Sequence, residues 1–190
     1  GKNTSFIYND ALHYEAIRKI SIYKGLSHAL KKNCLDLHYQ PKYNLVNGEI
    51  EGVEALLRWS RRNPEAIQPD EFIPIIESTE LIHEIGSWVI RQACEACKRW
   101  HDEGFAHIGV AVNVSSVQFS RANFHDVVTD ALKQSGLPAV SLEIELTEHL
   151  LLQNSQVVKQ QLQSLKAEGV KLSIDDFGTG YSNLSYLTQF

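Results

Sequence analysis

Two adjacent aspartates, Asp175 and Asp176, stand at the end of the run VKLSI and just before the glycine-rich stretch FGTGYS. Three more oxygen-bearing side chains hold comparable places in earlier apolar runs: Glu54 in EIEGVEALLRW, Asn113 in IGVAVNVS and Glu145 in SLEIELTE. Residues two apart share one face of a β-strand, so each run can be sorted by parity. Glu54, Leu56 and Arg58 oppose Ala55, Leu57 and Trp59; Ala111, Asn113 and Ser115 oppose Val110, Val112 and Val114. Glu143, Glu145 and Thr147 oppose Leu142, Ile144 and Leu146, and Ser173 and Asp175 oppose Leu172 and Ile174. Each strand therefore has one apolar and one polar face.

Side by side, such strands bring Glu54, Asn113, Glu145 and Asp175 together. Three carboxylates and an amide oxygen in a partly dry place call for a cation, because an uncompensated buried charge costs several kcal/mol. An all-oxygen donor set suits Mg²⁺ or Mn²⁺ better than zinc or copper. Asp176 would point away from Asp175 in an ideal strand, but the chain is already turning into FGTGYS, so both carboxylates reach one rim and can serve two ions. Two metals about 3.5–4 Å apart are a common device for in-line phosphoryl transfer.

The elements that must position these groups follow from periodicity. Leu12, Ala16, Ile20, Tyr23, Leu26 and Leu30 recur at spacings of three and four, which predicts an amphipathic helix over residues 10–32 with that face buried. LDLHYQPKYNL and EIEGVEALLRW flank VNGE, whose Asn47-Gly48 pair predicts a hairpin of antiparallel strands. Asp70 is the expected N-cap of short helical pieces in EFIPIIESTELIHEIG, and a separate helix is expected after Ser87, ending before Gly104. Strands, and helices ending at Gly136 and Gly169, then alternate, which predicts a parallel sheet with crossover helices. An open sheet covered on both sides would carry strands apolar throughout. One polar face per strand suits a barrel with helices outside and the chemistry within, near the C-terminal strand ends.

Composition excludes several classes. A net charge of −5 and 43% hydrophobic content over 190 residues describe a globular chain with a sizeable core and no basic field for DNA or RNA. No run approaches the roughly 20 apolar residues of a membrane helix, and the start GKNTS lacks a secretory layout, so the domain is expected to be cytoplasmic. Cys34, Cys94 and Cys97 are odd in number, and the C-x-x-C pair lies in a helix-period pattern; all three read as reduced, and Cys94 and Cys97 as core residues.

The motifs LHYQP, EALLRW, DEFIPIIE, VNVSSVQF, ELTE and DDFGTGYSNL, in this order, resemble the EAL-domain phosphodiesterases that hydrolyse the bacterial second messenger cyclic di-GMP. The tripeptide that names the family is Glu54-Ala55-Leu56. The resemblance implies an α/β fold, a modified (β/α)8 barrel of the TIM type with an antiparallel first strand, of which about the first five strands lie in this chain. Residues 35–190 would be about two thirds of that barrel, and residues 1–34 a connector helix from an upstream sensor or GGDEF domain.

By motif, Glu54, Asn113, Glu145 and Asp175 would ligate the first metal, with Asp175 bridging to a second that Asp176 also holds. Gln40 and Arg58 would contact the dinucleotide, Arg58 at a phosphate. Glu148 would hold the loop Phe177 to Asn183. The implied reaction is hydrolysis of cyclic di-GMP to linear pGpG with Mg²⁺ or Mn²⁺; the alternative is a non-catalytic receptor or scaffold domain that binds the dinucleotide without cleaving it. The family's lysine, a further metal-binding glutamate and a glutamine are expected after Phe190, so little or no activity, and self-association through open sheet edges, are expected of the 190 residues alone.

Overall fold

The computed structural model describes residues 10–59, 67–148, 150 and 155–175. The five alternating runs form one sheet in chain order. Its strands are β1 (Leu35–Tyr43), β2 (Ile50–Trp59), β3 (Gly109–Val114), β4 (Leu142–Thr147) and β5 (Lys171–Asp175). The first pair is antiparallel and the other three pairs are parallel, as the hairpin and the strand-helix alternation predict. The hairpin loop is longer than a two-residue turn. Asn44 closes it from both sides, donating its N–H to Glu49 O at 2.8 Å and accepting from Gly48 N at 2.8 Å, while Gly48 takes a φ of +74°.

The helices are α1 (Asp10–Lys31), α2 (Pro69–Glu77), α3 (Leu81–Asp102), the single turn α4 (Ser116–Phe119), α5 (Phe124–Ser135) and α6 (Gln156–Ala167). The core lies between the apolar sheet face and the helices. Val110, Val112, Leu142 and Ile144 on the strands, and Ile85, Ile90, Ala93 and Cys94 on α3, are all buried. Tyr39 of β1 meets Trp100 of α3 edge-on at 4.8 Å between ring centroids, and Trp59 of β2 meets Phe72 of α2 at 6.2 Å. Burying one such aliphatic side chain stabilises the fold by about 1.5–3 kcal/mol, which fixes the apolar face of every strand against the helices. The opposite face is thereby left to the polar residues. Burial pushes the thiols of Cys94 and Cys97 up to about 12 and about 11, so both stay protonated in the core.

Three helical expectations are corrected. The α1 bounds agree to within a residue, but its buried face is Ile22, Leu26 and Ala29, whereas Leu12, Ile20 and Tyr23 are exposed. The buried residues of α1 all lie in its second half, and the helix packs on α2, to which Arg18 of its first half adds an ion pair with Glu71 at 2.8 Å; the apolar side chains of the first half, Leu12, Ile17 and Ile20, stay exposed. The α2 N-cap is Gln68, not Asp70; Pro69 follows it, where a fixed φ is favourable, and Asp70 and Glu71 sit in the first turn, where negative charge is favourable.

The third correction concerns α3, which runs unbroken through Gly86 and Ser87. Gly86 does not end a helix; it makes room for Gln118. A Cβ on Gly86 would lie 1.6 Å from Gln118 Nε2. Gln118 in turn locks the exit of β3. Its Oε1 accepts from Ser115 N at 3.2 Å and from Ser115 Oγ at 3.0 Å, while its own N–H donates to Ser115 Oγ at 3.3 Å, a capping box two residues beyond Asn113. A second buried amide, Gln161 of α6, donates to Phe119 O and Arg121 O at 2.7 Å each and accepts from His125 N at 2.9 Å, tying α4 and α5 to α6.

Two substitutions check this packing. An alanine in a free helix interior is up to about 1 kcal/mol better than glycine, yet Gly86→Ala is expected to destabilise by about 1–3 kcal/mol through overpacking, read as a lower urea midpoint. A neutral or raised midpoint would refute the role given to Gln118. Gln161→Leu strands two carbonyls and an N–H and is expected to cost about 1–3 kcal/mol in the same measurement.

Candidate active site

The polar face of the sheet carries Gln40 and Lys42 on β1, Glu54 and Arg58 on β2, Asn113 on β3, Glu143 and Glu145 on β4, and Ser173 and Asp175 on β5. The register sets their heights. Glu54 lies opposite Gln40 on one side and Ala111 on the other, so Asn113 is two residues further along. Asn113 faces Glu145, Glu145 faces Ser173, and Asp175 is again two residues further, opposite Thr147. In a closed eight-stranded barrel with a shear of eight, a constant height moves about one residue per strand toward the C-terminal ends. From β2 to β5 the four positions climb by two, none and two residues, within one residue of that slope. The stagger in the ladder thus keeps them at one level of a tilted sheet.

The side chains are partly gathered. Asn113 Nδ2 donates to Glu54 Oε1 at 2.6 Å. Arg58, Asn113, Glu145 and Thr147 line one groove, walled by apolar residues of α2 and α3 such as Ile73, Ile76 and Ile85. Arg58 Nη1 donates to Leu57 O at 2.9 Å. Gln40 is exposed beside Glu54 in the register, and Asp175 is exposed at the end of β5. Glu148, the first residue after β4, is only 9% exposed. Asp176 and the loop Phe177 to Asn183 lie outside the described residues. Among the described residues, no three His, Cys, Asp or Glu side chains already surround a single point.

Sequence reasoning missed Lys42 and left Glu143 without a role. Lys42 hydrogen-bonds Glu145 Oε1 through Nζ and lies 3.6 Å from Glu143 Oε2. The signal was available: Lys42 is two residues past Gln40, and Glu143 two before Glu145, so parity puts all four on the same face. The electrostatics are those of a carboxylate cluster short of positive charge. Burial pushes the Glu145 carboxyl up, the Lys42 contact pulls it down, and Glu54 and Glu143 push it up again; the net result is above the ordinary value. Burial depresses the Lys42 ammonium, and the three carboxylates together more than reverse that. Ser173 Oγ, opposite Glu145 in the register, is buried with no hydrogen-bond partner. A carboxyl held high despite a lysine beside it, next to an Asn–Glu pair and an orphaned hydroxyl, is a donor set that fits a hard divalent cation.

Residues 24–190 match the EAL domain family, and the chain belongs to it. It is 40% identical over 187 residues to the bifunctional diguanylate cyclase/cyclic di-GMP phosphodiesterase MucR of Pseudomonas aeruginosa, covering 98% of this chain and 27% of that protein. It is 39% identical over 187 residues to the cyclic di-GMP phosphodiesterase NbdA of the same organism, covering 98% of this chain and 24% of that one. The chain thus spans about a quarter of the length of these relatives.

Among solved structures, the PaMucR phosphodiesterase in its c-di-GMP complex superimposes with a TM-score of 0.85 at 42% identity, over 90% of this chain and 69% of that one. The FimX EAL domain of Xanthomonas citri, in complex with c-di-GMP, gives 0.81 at 27% identity, over 94% and 69%. The five-stranded, mostly parallel sheet is accordingly part of the TIM-type barrel of EAL domains. No helix among the described residues is long and apolar enough to cross a membrane.

The raised Glu145 carboxyl gives a pH dependence with a definite sign. The folded state holds this proton more tightly than the unfolded chain, whose value is 4.5. The contribution of Glu145 to stability is therefore complete below pH 4.5 and is lost as pH rises through the folded value. In chelator-treated buffer at pH 7, Glu145→Gln is expected to melt above wild type, with the gap closing toward pH 4.5 in circular dichroism melts. A lower melting temperature at pH 7 would contradict this account.

Proposed function

We propose that this chain binds cyclic di-GMP and forms part of a phosphodiesterase that opens it to linear pGpG with Mg²⁺ or Mn²⁺. The observation that carries the reading is the placement of Glu54, Asn113 and Glu145 on adjacent strands at one level, with Arg58 lining the same groove as Asn113 and Glu145. Family membership and the c-di-GMP complexes of PaMucR and FimX support it.

Glu54, Asn113, Glu145 and Asp175 would hold the first metal, and Asp175 with Asp176 a second. Bound there, the metals would polarise the phosphodiester and lower the pKa of water toward about 7. Arg58 presents a planar fork of donors that suits a phosphate, and its bond to the Leu57 carbonyl occupies one of the five. Gln40, beside Glu54, would contact the dinucleotide, and the apolar wall of α2 and α3 would limit water at the groove. Glu148, buried at the end of β4, would brace the loop that carries Asp176.

The test is incubation of the full-length protein with cyclic di-GMP and Mg²⁺ or Mn²⁺, with chromatographic detection of pGpG. Release of pGpG that chelator abolishes, and that Glu54→Gln lowers by on the order of 100-fold or more, is the expected result. Arg58→Ala is expected to weaken dinucleotide binding by about 1.5–3 kcal/mol, roughly 10- to 100-fold. Tight binding with no pGpG from the full-length protein would leave a receptor in place of an enzyme.

A further inference from the structure

Lys42 is a cation placed inside a carboxylate cluster that the proposed chemistry does not use. Its Nζ donates to Glu145 Oε1 and lies 3.6 Å from Glu143 Oε2. The Glu145 side chain is only 12% exposed, so solvent screens this contact poorly. Glu143 and Glu145 are two residues apart on β4 and share a face, one strand repeat apart, with Glu145 nearer the C-terminal strand ends. A lysine stem is flexible and its ammonium is a compact point charge, so a small rotation carries Nζ from one carboxylate to the other.

We propose that Lys42 is a resident counter-cation that neutralises Glu145 when no metal is bound and moves onto Glu143 when a divalent cation takes Glu145. The proposal rests on the reading of Glu145 as a metal ligand. A divalent cation on Glu145 and an ammonium on the same carboxylate repel at close range, and Glu143 is the acceptor within reach. Lys42 thus keeps the metal-free site folded at the expense of metal affinity. Glu143 gains a role with it, as the position to which the lysine withdraws.

The experiment uses the full chain with two readouts, melting temperature in chelator and Mn²⁺ affinity by calorimetry. Lys42→Met is expected to melt about 2–4 °C below wild type in chelator, because three carboxylates lose their cation. It is expected to bind Mn²⁺ about 3- to 10-fold more tightly, because the competitor is gone. Lys42→Met with Glu145→Gln is expected to recover the wild-type melting temperature in chelator. Lys171→Met is the control: Lys171 is opposite Glu143 in the register but is exposed and forms no ion pair among the described residues, so removing the same charge there is expected to leave the chelator melting temperature unchanged. Glu143→Gln is expected to weaken Mn²⁺ binding in the wild-type background and much less once Lys42 is methionine.

An unchanged melting temperature for Lys42→Met in chelator, or Mn²⁺ binding that is equal or weaker in that variant, overturns the proposal while the metal reading stands. A wild-type chain that binds no Mn²⁺ overturns the metal reading and the exchange together.

Discussion

Everything in this sheet depends on the pleat: a strand cannot turn one side chain to the helices without turning the next one away from them. The helices α3, α5 and α6 need an apolar surface, and Val110, Val112, Leu142, Ile144, Leu172 and Ile174 supply it. Their neighbours in sequence are forced onto the other face, and those neighbours are Asn113, Glu143, Glu145, Ser173 and Asp175. The same packing that stabilises the fold therefore aims the site. A slip of one residue in β4 or β5 would put a carboxylate in the core and a leucine or isoleucine on the polar face, a double penalty that fixes the register strongly.

That constraint is why so much was legible from sequence. Alternation is local and strict, so the strand faces, the antiparallel first pair and the order of elements all followed from residues near one another in the chain. Gly104 and Gly169 likewise ended their helices in the structure, each with a positive φ that a side chain would resist. What local patterns could not reveal was which partner each element meets. The apolar spacing of Leu12, Ile20 and Tyr23 is as regular as that of Ile22, Leu26 and Ala29, and only the position of α2 selects the second set. Gly86 reads locally as a helix breaker, and only Gln118, 32 residues later, shows why it is a glycine.

The site was legible to the same extent and for the same reason. Parity put Glu54, Asn113, Glu145 and Asp175 on one face, and family resemblance supplied roles for Gln40, Arg58, Glu148 and Asp176. Parity alone says nothing about charge balance across strands. Lys42 and Glu145 are 103 residues apart in the chain, and their contact follows from β1 running antiparallel to β2, which sets Lys42 opposite Gly52 near the start of β2, with the lysine reaching across the polar face toward β4.

The reversed direction of β1 has another result, which concerns where the chain enters the barrel. A parallel first strand would begin at the end remote from the site. Here Leu35 and Asp36 begin β1 opposite Trp59 and Arg58, at the C-terminal rim of β2. Only Lys32, Asn33 and Cys34 separate that point from α1, and Asn33 sits in the left-handed region at φ +51°, while Cys34 N–H returns to Ala29 O at 2.9 Å. The junction is short and hydrogen-bonded back to the last turn of α1, so the helix ends three residues from the rim where Asp36 faces Arg58. The helix that precedes the barrel is thus docked at the doorway of the site instead of at its far wall.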